Sequence, residues 1–214
     1  MPRIFLLSPA NCGGRRARMV MSPRAAFPLA RRLLEPAGAP LGEVFTFLSG
    51  LYFRGKLAYA RAFAAPPGPA GPVAAGGVLV IAPGQGLRAP ETPMTAETLR
   101  AFASVDVDAD NPRHRRPLLA AGEALAGRIG PDCEVVLLGS IASRKYTEAL
   151  GAALGDRLRF PAEFVGRGDM SRGGLLLRCV ADGRQLEYVP VAGATRHGPR
   201  PPRLAPLAPA RRAP

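Results

Sequence analysis

Three short apolar runs constrain the fold of this chain more than any other feature. They occupy residues 4–8, 77–82 and 134–139, and each is followed by a loop of small or polar residues. Runs that are apolar almost throughout are typical of strands buried on both faces of a parallel sheet. Because helical patterns separate them, the chain is predicted to be a layered α/β protein with a mostly parallel central sheet and flanking helices.

Helices are indicated between and after these strands by apolar periodicity and by capping residues. They are predicted over residues 27–35, 51–65, 95–103, 112–129 and 145–154. Further along, residues 175–180 and 185–191 flank the dipeptide Asp182-Gly183, which favours a two-residue turn. This pattern predicts a C-terminal hairpin at one edge of the sheet.

The chain has 214 residues, a length that suits one domain. We assign that domain to residues 1–195, with a flexible Pro/Gly-rich connection at about 65–77. Residues 196–214 contain six prolines, five arginines and no acid, and are predicted to form a disordered basic tail.

The formal charge of +13 is concentrated at the two ends of the chain. Residues 1–61 carry ten basic and two acidic side chains, whereas residues 62–195 carry fourteen of each. Concentrated arginine attracts polyanions and pairs with phosphate. Nucleic acid or a nucleotide is therefore a candidate partner, and a general abundance of arginine in the composition is the alternative explanation for part of the charge.

Several protein classes are disfavoured by composition. No apolar run approaches the ~18 residues of a membrane span, so we expect a soluble, cytoplasmic protein with no membrane partner. The three cysteines form no Cys-x-x-Cys pair, and there are two histidines. These counts favour a reduced protein with no metal and no cofactor.

The loops that follow the three strands are the first candidate site. Ligands of open α/β sheets bind beyond the carboxyl ends of the strands, where Asn11, Gln85 and Ser140 would meet. Ser140 also precedes a predicted helix start at which Arg144 and Lys145 could bind an anion. The alternative is a capped helix with solvated charges.

The second candidate is the glycine-rich stretch 164–174, which we interpret as a loop. Its backbone amides, with Arg167, Ser171 and Arg172, could hold a phosphate. Asp169 could orient an arginine or transfer a proton. A surface loop before the hairpin is the alternative interpretation.

Other motifs are weaker. Residues 50–56 resemble a P-loop, but Leu57 stands where a magnesium-binding Ser or Thr is needed, so an amphipathic helix with a basic edge at Arg54, Lys56 and Arg61 is favoured. Cys12 could be a nucleophile, although a small buried cysteine is the simpler interpretation.

Four blocks of the chain, at residues 8–14, 49–63, 78–87 and 164–177, carry a family resemblance. Their order and spacing resemble an uncharacterised bacterial family that is distantly similar to YaaA-like and uracil-DNA-glycosylase-like α/β domains. The water-activating Asp motif and the His-Pro-Ser loop of true uracil-DNA glycosylases are absent from the sequence. The resemblance implies a cleft for a base, a nucleotide or a nucleic-acid strand at the strand ends.

Three hypotheses for function remain. In the first, the protein acts on a base or a phosphate-bearing substrate, with Asp169 and Asn11 as catalytic residues and with substrate or phosphate bound by the set Gln85, Ser140, Arg144, Lys145, Arg167, Ser171 and Arg172. In the second, it is a non-catalytic protein that binds polyanions through its basic ends. In the third, it is a metabolic enzyme for a small anionic substrate.

Overall fold

A computed structural model describes residues 1–68 and 75–204 of the chain. The strands of its central sheet are β1 (Arg3–Leu7), β3 (Val78–Ala82), β4 (Gly86–Arg88), β6 (Glu134–Leu138), β7 (Leu158–Pro161) and β8 (Tyr188–Pro190). Two further short strands, β2 (Ala39–Pro40) and β5 (Pro93–Met94), pair with each other.

The central sheet has the order β4-β3-β1-β6-β7-β8. The four inner strands run parallel, and each edge strand is antiparallel to its neighbour. In β1, Phe5 is in register with Val78 of β3 and with Val136 of β6. The predicted layered α/β fold with a mostly parallel sheet is thus confirmed.

Helices cover both faces of this sheet. In the described residues they are α1 (Arg15–Val20), α2 (Pro28–Leu34), α3 (Leu41–Ser49), α4 (Leu51–Phe63), α5 (Ala96–Ala103), α6 (Pro112–Ala126), α7 (Arg144–Leu154) and α8 (Asp169–Ala181). One buried cluster joins the sheet to α1–α5 and α8, and a second joins it to α6 and α7.

The apolar runs are continuous because the inner strands have helices on both sides. Phe5 and Leu7 belong to the cluster with α4 and α8, whereas Ile4 and Leu6 belong to the cluster with α6 and α7. All four side chains are fully buried. Alternate residues of a strand point to opposite faces, so a strand between two helical layers needs apolar residues at every position.

Two predicted helix starts are confirmed in atomic detail. The Thr95 hydroxyl accepts a hydrogen bond from the Thr98 amide at the start of α5. At the start of α6, the Asn111 side chain accepts one from the Arg113 amide, and Pro112 occupies the first helical position. Both caps satisfy backbone donors that have no partner inside the helix.

The predicted C-terminal hairpin is wrong in its first strand. Residues 175–180 lie in α8, whose end has the Arg184 amide donating to Cys179 O and the Gly183 amide donating to Val180 O. Together with the positive φ of 61° at Gly183, this pattern is a Schellman helix end. The second strand, β8, does lie at the sheet edge, but it pairs with β7.

The glycine-rich stretch 164–174 is also not a loop throughout, because α8 already begins at Asp169. Its glycines serve a close helix crossing. A Cβ atom at Gly173 would lie 2.8 Å from Leu51 O, and one at Gly55 would lie 2.7 Å from Gly173 O. Glycine at both positions therefore lets the backbones of α4 and α8 touch.

The predicted connection and tail are only partly described. Residues 69–74 of the connection and residues 205–214 of the tail lie outside the described residues. Residues 196–204 have no helix or strand, and Leu204 packs against the core near α8. Within the described ranges, none of the helices has the length and apolar character needed to cross a membrane.

Candidate functional site

A cleft of about 640 Å³ opens where β1, β3 and β6 end. Its floor and walls come from the loops after these strands, the ends of α3 and α5, and the first turns of α7 and α8. The residues that line it are Ser8, Pro9, Ala10, Asn11, Cys12, Gly13, Leu48, Ser49, Tyr52, Pro83, Phe102, Ala103, Val105, Asp106, Val107, Ser140, Lys145, Tyr146 and Asp169. The cleft lies at the edge where ligands of open α/β sheets bind.

Four of the predicted site residues come together in this cleft. Asn11 follows β1 and Ser140 follows β6, while Lys145 and Asp169 lie in the first turns of α7 and α8. The Asn11 side chain accepts a hydrogen bond from the Gly13 amide. Residues far apart in the chain meet here because the parallel strands end at one edge.

Two predicted residues lie elsewhere. Gln85 is exposed in the turn between β3 and β4 and is not among the residues that line the cleft. Arg144 is exposed on α7, where it forms ion pairs with Asp110 and Glu148. These acidic partners compete with a ligand for the Arg144 guanidinium.

The remaining three residues are divided between two places. Arg167 and Ser171 line a separate groove in which α8 faces residues 200–204, and the Arg167 guanidinium donates to the Ser171 hydroxyl at 3.2 Å. Arg172 is nearly buried and donates to Phe164 O at 3.0 Å. Its guanidinium also lies 3.7 Å from the Asp169 carboxylate, so it positions one wall of the cleft.

Behind Ser8, beneath the cleft surface, lies a buried lysine that the sequence interpretation placed on a basic helix edge. Lys56 is 1 % exposed. Its ammonium nitrogen lies 2.6 Å from Ser8 O and 2.8 Å from Ser8 Oγ. It also lies over the rings of Tyr52 and Phe53, at 4.4 and 4.9 Å from their centroids. Both oxygens are uncharged, and cation–π contacts replace part of the lost hydration.

Burial changes the charge state of this lysine. It lowers the pKa of Lys56 from an ordinary 10.5 to about 7, because the cation loses most of its water. Asp169 acts in the opposite direction, whereas Arg172 and Lys145 lower the pKa further. Near neutral pH, Lys56 therefore exchanges between the ammonium and the neutral amine.

The sequence does contain a signal for this position. Lys56 lies three residues after Phe53 and four residues before Ala60, so it shares the apolar face of α4. A cation on an apolar face can snorkel to solvent or be buried beside a polar partner. The partner here is Ser8, 48 residues earlier in the chain, and local pattern cannot identify it.

Aromatic side chains form part of the cleft wall. Tyr52, Phe102 and Tyr146 all line it, and the Lys145 ammonium lies 5.2 Å from the centre of the Tyr146 ring. The Tyr52 hydroxyl is buried beside Ser8 and Arg172 and makes no hydrogen bond of standard geometry with the described residues. Burial raises the pKa of Tyr52 to about 12, so its hydroxyl keeps its proton and can donate to a ligand.

Cys12 lines the cleft as an unreactive thiol. Burial raises the pKa of Cys12 to about 12, and Sγ donates weakly to Ala10 O at 3.5 Å. The thiolate is the nucleophilic form of cysteine, so this environment opposes nucleophilic chemistry at Cys12 near neutral pH. In the described ranges, no group of three His, Cys, Asp or Glu side chains is placed to hold a metal ion.

The charged groups of the cleft have mixed signs. Lys145 carries a positive charge, and Asp106 and Asp169 carry negative charges, around a wall that is otherwise apolar or uncharged.

Comparisons with protein-family models, with curated proteins and with solved structures find no match for the chain.

Proposed function

We propose that the protein binds a nucleotide, free or as a unit of a nucleic-acid strand, in the cleft at the ends of β1, β3 and β6, and acts on its phosphate-bearing part. The observation that carries this proposal is that one cleft combines a cation, a buried hydroxyl without a well-formed hydrogen bond and three aromatic side chains. These are Lys145, the Tyr52 hydroxyl, and the rings of Tyr52, Phe102 and Tyr146.

Each part of a nucleotide has a chemical counterpart in the cleft. A phosphate group suits Lys145 in the first turn of α7, where the helix dipole adds to the positive charge. A base suits the aromatic wall, since every base has a face that can stack. Asn11 and Ser140 offer hydrogen bonds to the polar edge of a base or to a sugar.

The size of the cleft agrees with this class of ligand. Its volume of about 640 Å³ lies in the usual range of ~300–1,000 Å³ for small-molecule sites. A buried Tyr52 hydroxyl without a well-formed hydrogen bond is costly, and a ligand oxygen would relieve that cost.

Calorimetric titration tests this proposal. We expect a nucleoside monophosphate to bind more tightly than either inorganic phosphate or the matching nucleoside, because both halves of the ligand contribute. Replacing Lys145→Met should weaken binding of the nucleotide about tenfold or more while leaving that of the nucleoside nearly unchanged, as a charge-assisted contact is worth ~1.5–3 kcal/mol.

Arg100→Met is the matched control, because Arg100 is exposed on α5 and is not among the residues that line the cleft. It should bind like the wild type. Equal binding of inorganic phosphate and nucleotide would favour a small anionic substrate instead. Binding of polynucleotides alone, lost equally in both variants, would favour the basic-surface hypothesis.

A further inference from the structure

We propose that Ser8 and Lys56 form a nucleophile–base pair at the floor of the cleft, in which the Ser8 hydroxyl attacks a phosphate ester and Lys56 accepts its proton. The choice of a phosphate ester rests on the proposed function. The pairing of the two side chains rests on their geometry alone.

The geometry suits proton transfer. The Lys56 nitrogen lies 2.8 Å from Ser8 Oγ, within the range of ~2.6–3.2 Å expected for a nucleophile and its base. Ser8 Oγ has a second partner, Leu138 O, at 3.3 Å. When Lys56 is an ammonium, the Ser8 hydroxyl donates to Leu138 O; when Lys56 is neutral, the hydroxyl can donate to the amine.

The two residues have distinct roles because they differ in access. Ser8 lines the cleft, whereas Lys56 is not among the lining residues that the structure describes. A ligand in the cleft therefore contacts Ser8 and not Lys56. This arrangement favours Ser8 as the reacting atom over a direct reaction of Lys56.

The surroundings of Lys56 support its role as a base. A general base works best when its pKa is near the working pH, and burial brings the pKa of Lys56 to about 7. The charged groups that act on it are Asp169 and Arg172 of α8 and Lys145 of α7. The neighbouring Tyr52 remains protonated, since burial raises its pKa.

In the proposed step, the Ser8 hydroxyl displaces the leaving oxygen of the phosphate ester. Ser8 Oγ forms a bond to phosphorus while its proton moves to the neutral Lys56 amine, and the bond from phosphorus to the leaving oxygen breaks. The leaving oxygen departs on the far side of phosphorus, where it takes a proton from water in the open cleft. A water molecule that enters from that side then attacks the phosphoserine and releases its proton to solvent, while the Lys56 ammonium returns a proton to Ser8 Oγ as the phosphorus–Oγ bond breaks. The positive charge of Lys145 in the same cleft offsets the negative charge that builds on the phosphoryl oxygens.

A fluorophosphonate probe tests the pair without knowledge of the natural substrate. Its reaction forms the Ser8 Oγ–P bond, breaks the P–F bond and sends the serine proton to Lys56. We expect mass spectrometry of the labelled full chain to locate the probe on Ser8. The labelling rate of the wild type should rise with pH, with a midpoint near 7.

Variants separate the pair from general reactivity of the cleft. Ser8→Ala should abolish labelling, and Lys56→Met should slow it on the order of 100-fold or more, as expected for loss of a general base. Ser22→Ala removes a serine that is not among the residues that line the cleft, and Arg61→Met removes an exposed cation from α4; both should label like the wild type.

Labelling at another residue, absence of labelling at Ser8, or a rate at Ser8 that does not change with pH between 6 and 8 would overturn the pair. All three of these results are obtained with the wild-type protein, so they remain valid even if Lys56→Met folds poorly. Protection by a nucleoside monophosphate tests the proposed function separately. Labelling of Ser8 that a nucleoside monophosphate does not prevent would support the pair and overturn nucleotide binding. Nucleotide binding without labelling of Ser8 would support the proposed function and overturn the pair.

Discussion

At the scale of single residues, Lys56 is the side chain that most affects both stability and the site. A cation that is 1 % exposed loses its hydration on folding, and two hydrogen bonds to Ser8 recover only part of it. Lys56 is thus a destabilising group that lies beneath the floor of the cleft. Such a cost is common where a site needs a perturbed pKa.

Lys56→Met gives a prediction about stability and pH. The pKa of Lys56 is about 7 in the folded protein and about 10.4 in an unfolded chain. Between these values the unfolded chain binds a proton that the folded protein does not, so the wild type gains stability as pH rises. We expect Lys56→Met to have a higher free energy of unfolding than the wild type at pH 6. This difference should decrease by on the order of 4 kcal/mol between pH 6 and pH 10.

Urea denaturation at a series of pH values measures this difference. Arg61→Met is the control, because Arg61 is half-exposed and pairs with Glu91 at the surface. Its stability should run parallel to that of the wild type across the series. A Lys56→Met difference that stays constant from pH 6 to pH 10 would contradict the assigned pKa of Lys56.

At the scale of elements, the crossing of α4 and α8 holds the site together. α4 carries Tyr52 and Lys56, and α8 carries Asp169 and Arg172. The backbones touch at Gly55 and Gly173. Because the obstructing atoms belong to the backbone, a side chain at either glycine cannot be accommodated by a rotamer change.

Gly173→Ala tests this crossing. Its Cβ would lie 2.8 Å from both Leu51 O and Tyr52 Cα, so α8 must move away from α4. We expect a loss of ~1–3 kcal/mol in the free energy of unfolding, as for other overpacked cores. Ser8 labelling should slow as well, because the helix that buries Lys56 shifts.

Gly174→Ala is the matched control on the same helix. Its Cβ would meet Arg178 Nη1 at 3.4 Å and Leu204 Cδ1 at 3.5 Å, which are ordinary contacts with side chains. Alanine is also the better helix former, by up to ~1 kcal/mol. Urea denaturation should rank Gly174→Ala at or above the wild type; equal losses in the two variants would refute the close crossing.

Elements that are set by local contacts can be predicted from the sequence, whereas the end of α8 depends on its packing against α4. Thr95 and Asn111 act within three residues of themselves, so their caps are visible in the sequence. Asp182-Gly183 fits both a hairpin turn and a helix end. Only the packing of residues 173–179 against α4, which comes more than a hundred residues earlier, selects the helix.

At the scale of the whole molecule, the order of apolar runs predicts the layers and the edge at which the cleft lies. It predicts that Asn11, Ser140 and Lys145 lie near one edge, because each comes after a strand of the parallel sheet, and all three line the cleft. The pairing of Ser8 with Lys56 cannot be predicted in this way, because it joins a strand end to a helix whose docking depends on α8.

The fold places different charged residues around the groove beside α8 and around the cleft. The groove between α8 and residues 200–204 is lined by Arg54, Arg167, Arg178, Arg200 and Arg203, with no acid among the described lining residues. The cleft has one lysine and two aspartates. Within the described residues, the arginine-lined groove and the candidate cleft are therefore separate surfaces, and the cleft combines charge with aromatic and hydroxyl groups.

The most direct test of the cleft uses the two lysines of the chain, Lys56 and Lys145, as NMR probes. Lysine labelled with ¹³C at the ε carbon should give two signals, which the Lys56→Met and Lys145→Met variants assign. We expect the Lys56 signal to titrate with a midpoint of about 7, and the Lys145 signal to move when a nucleoside monophosphate is added. A midpoint for Lys56 near the ordinary ~10.4, together with a Lys145 signal that does not shift when the nucleotide is added, would contradict both the lowered pKa of Lys56 and nucleotide binding in the cleft.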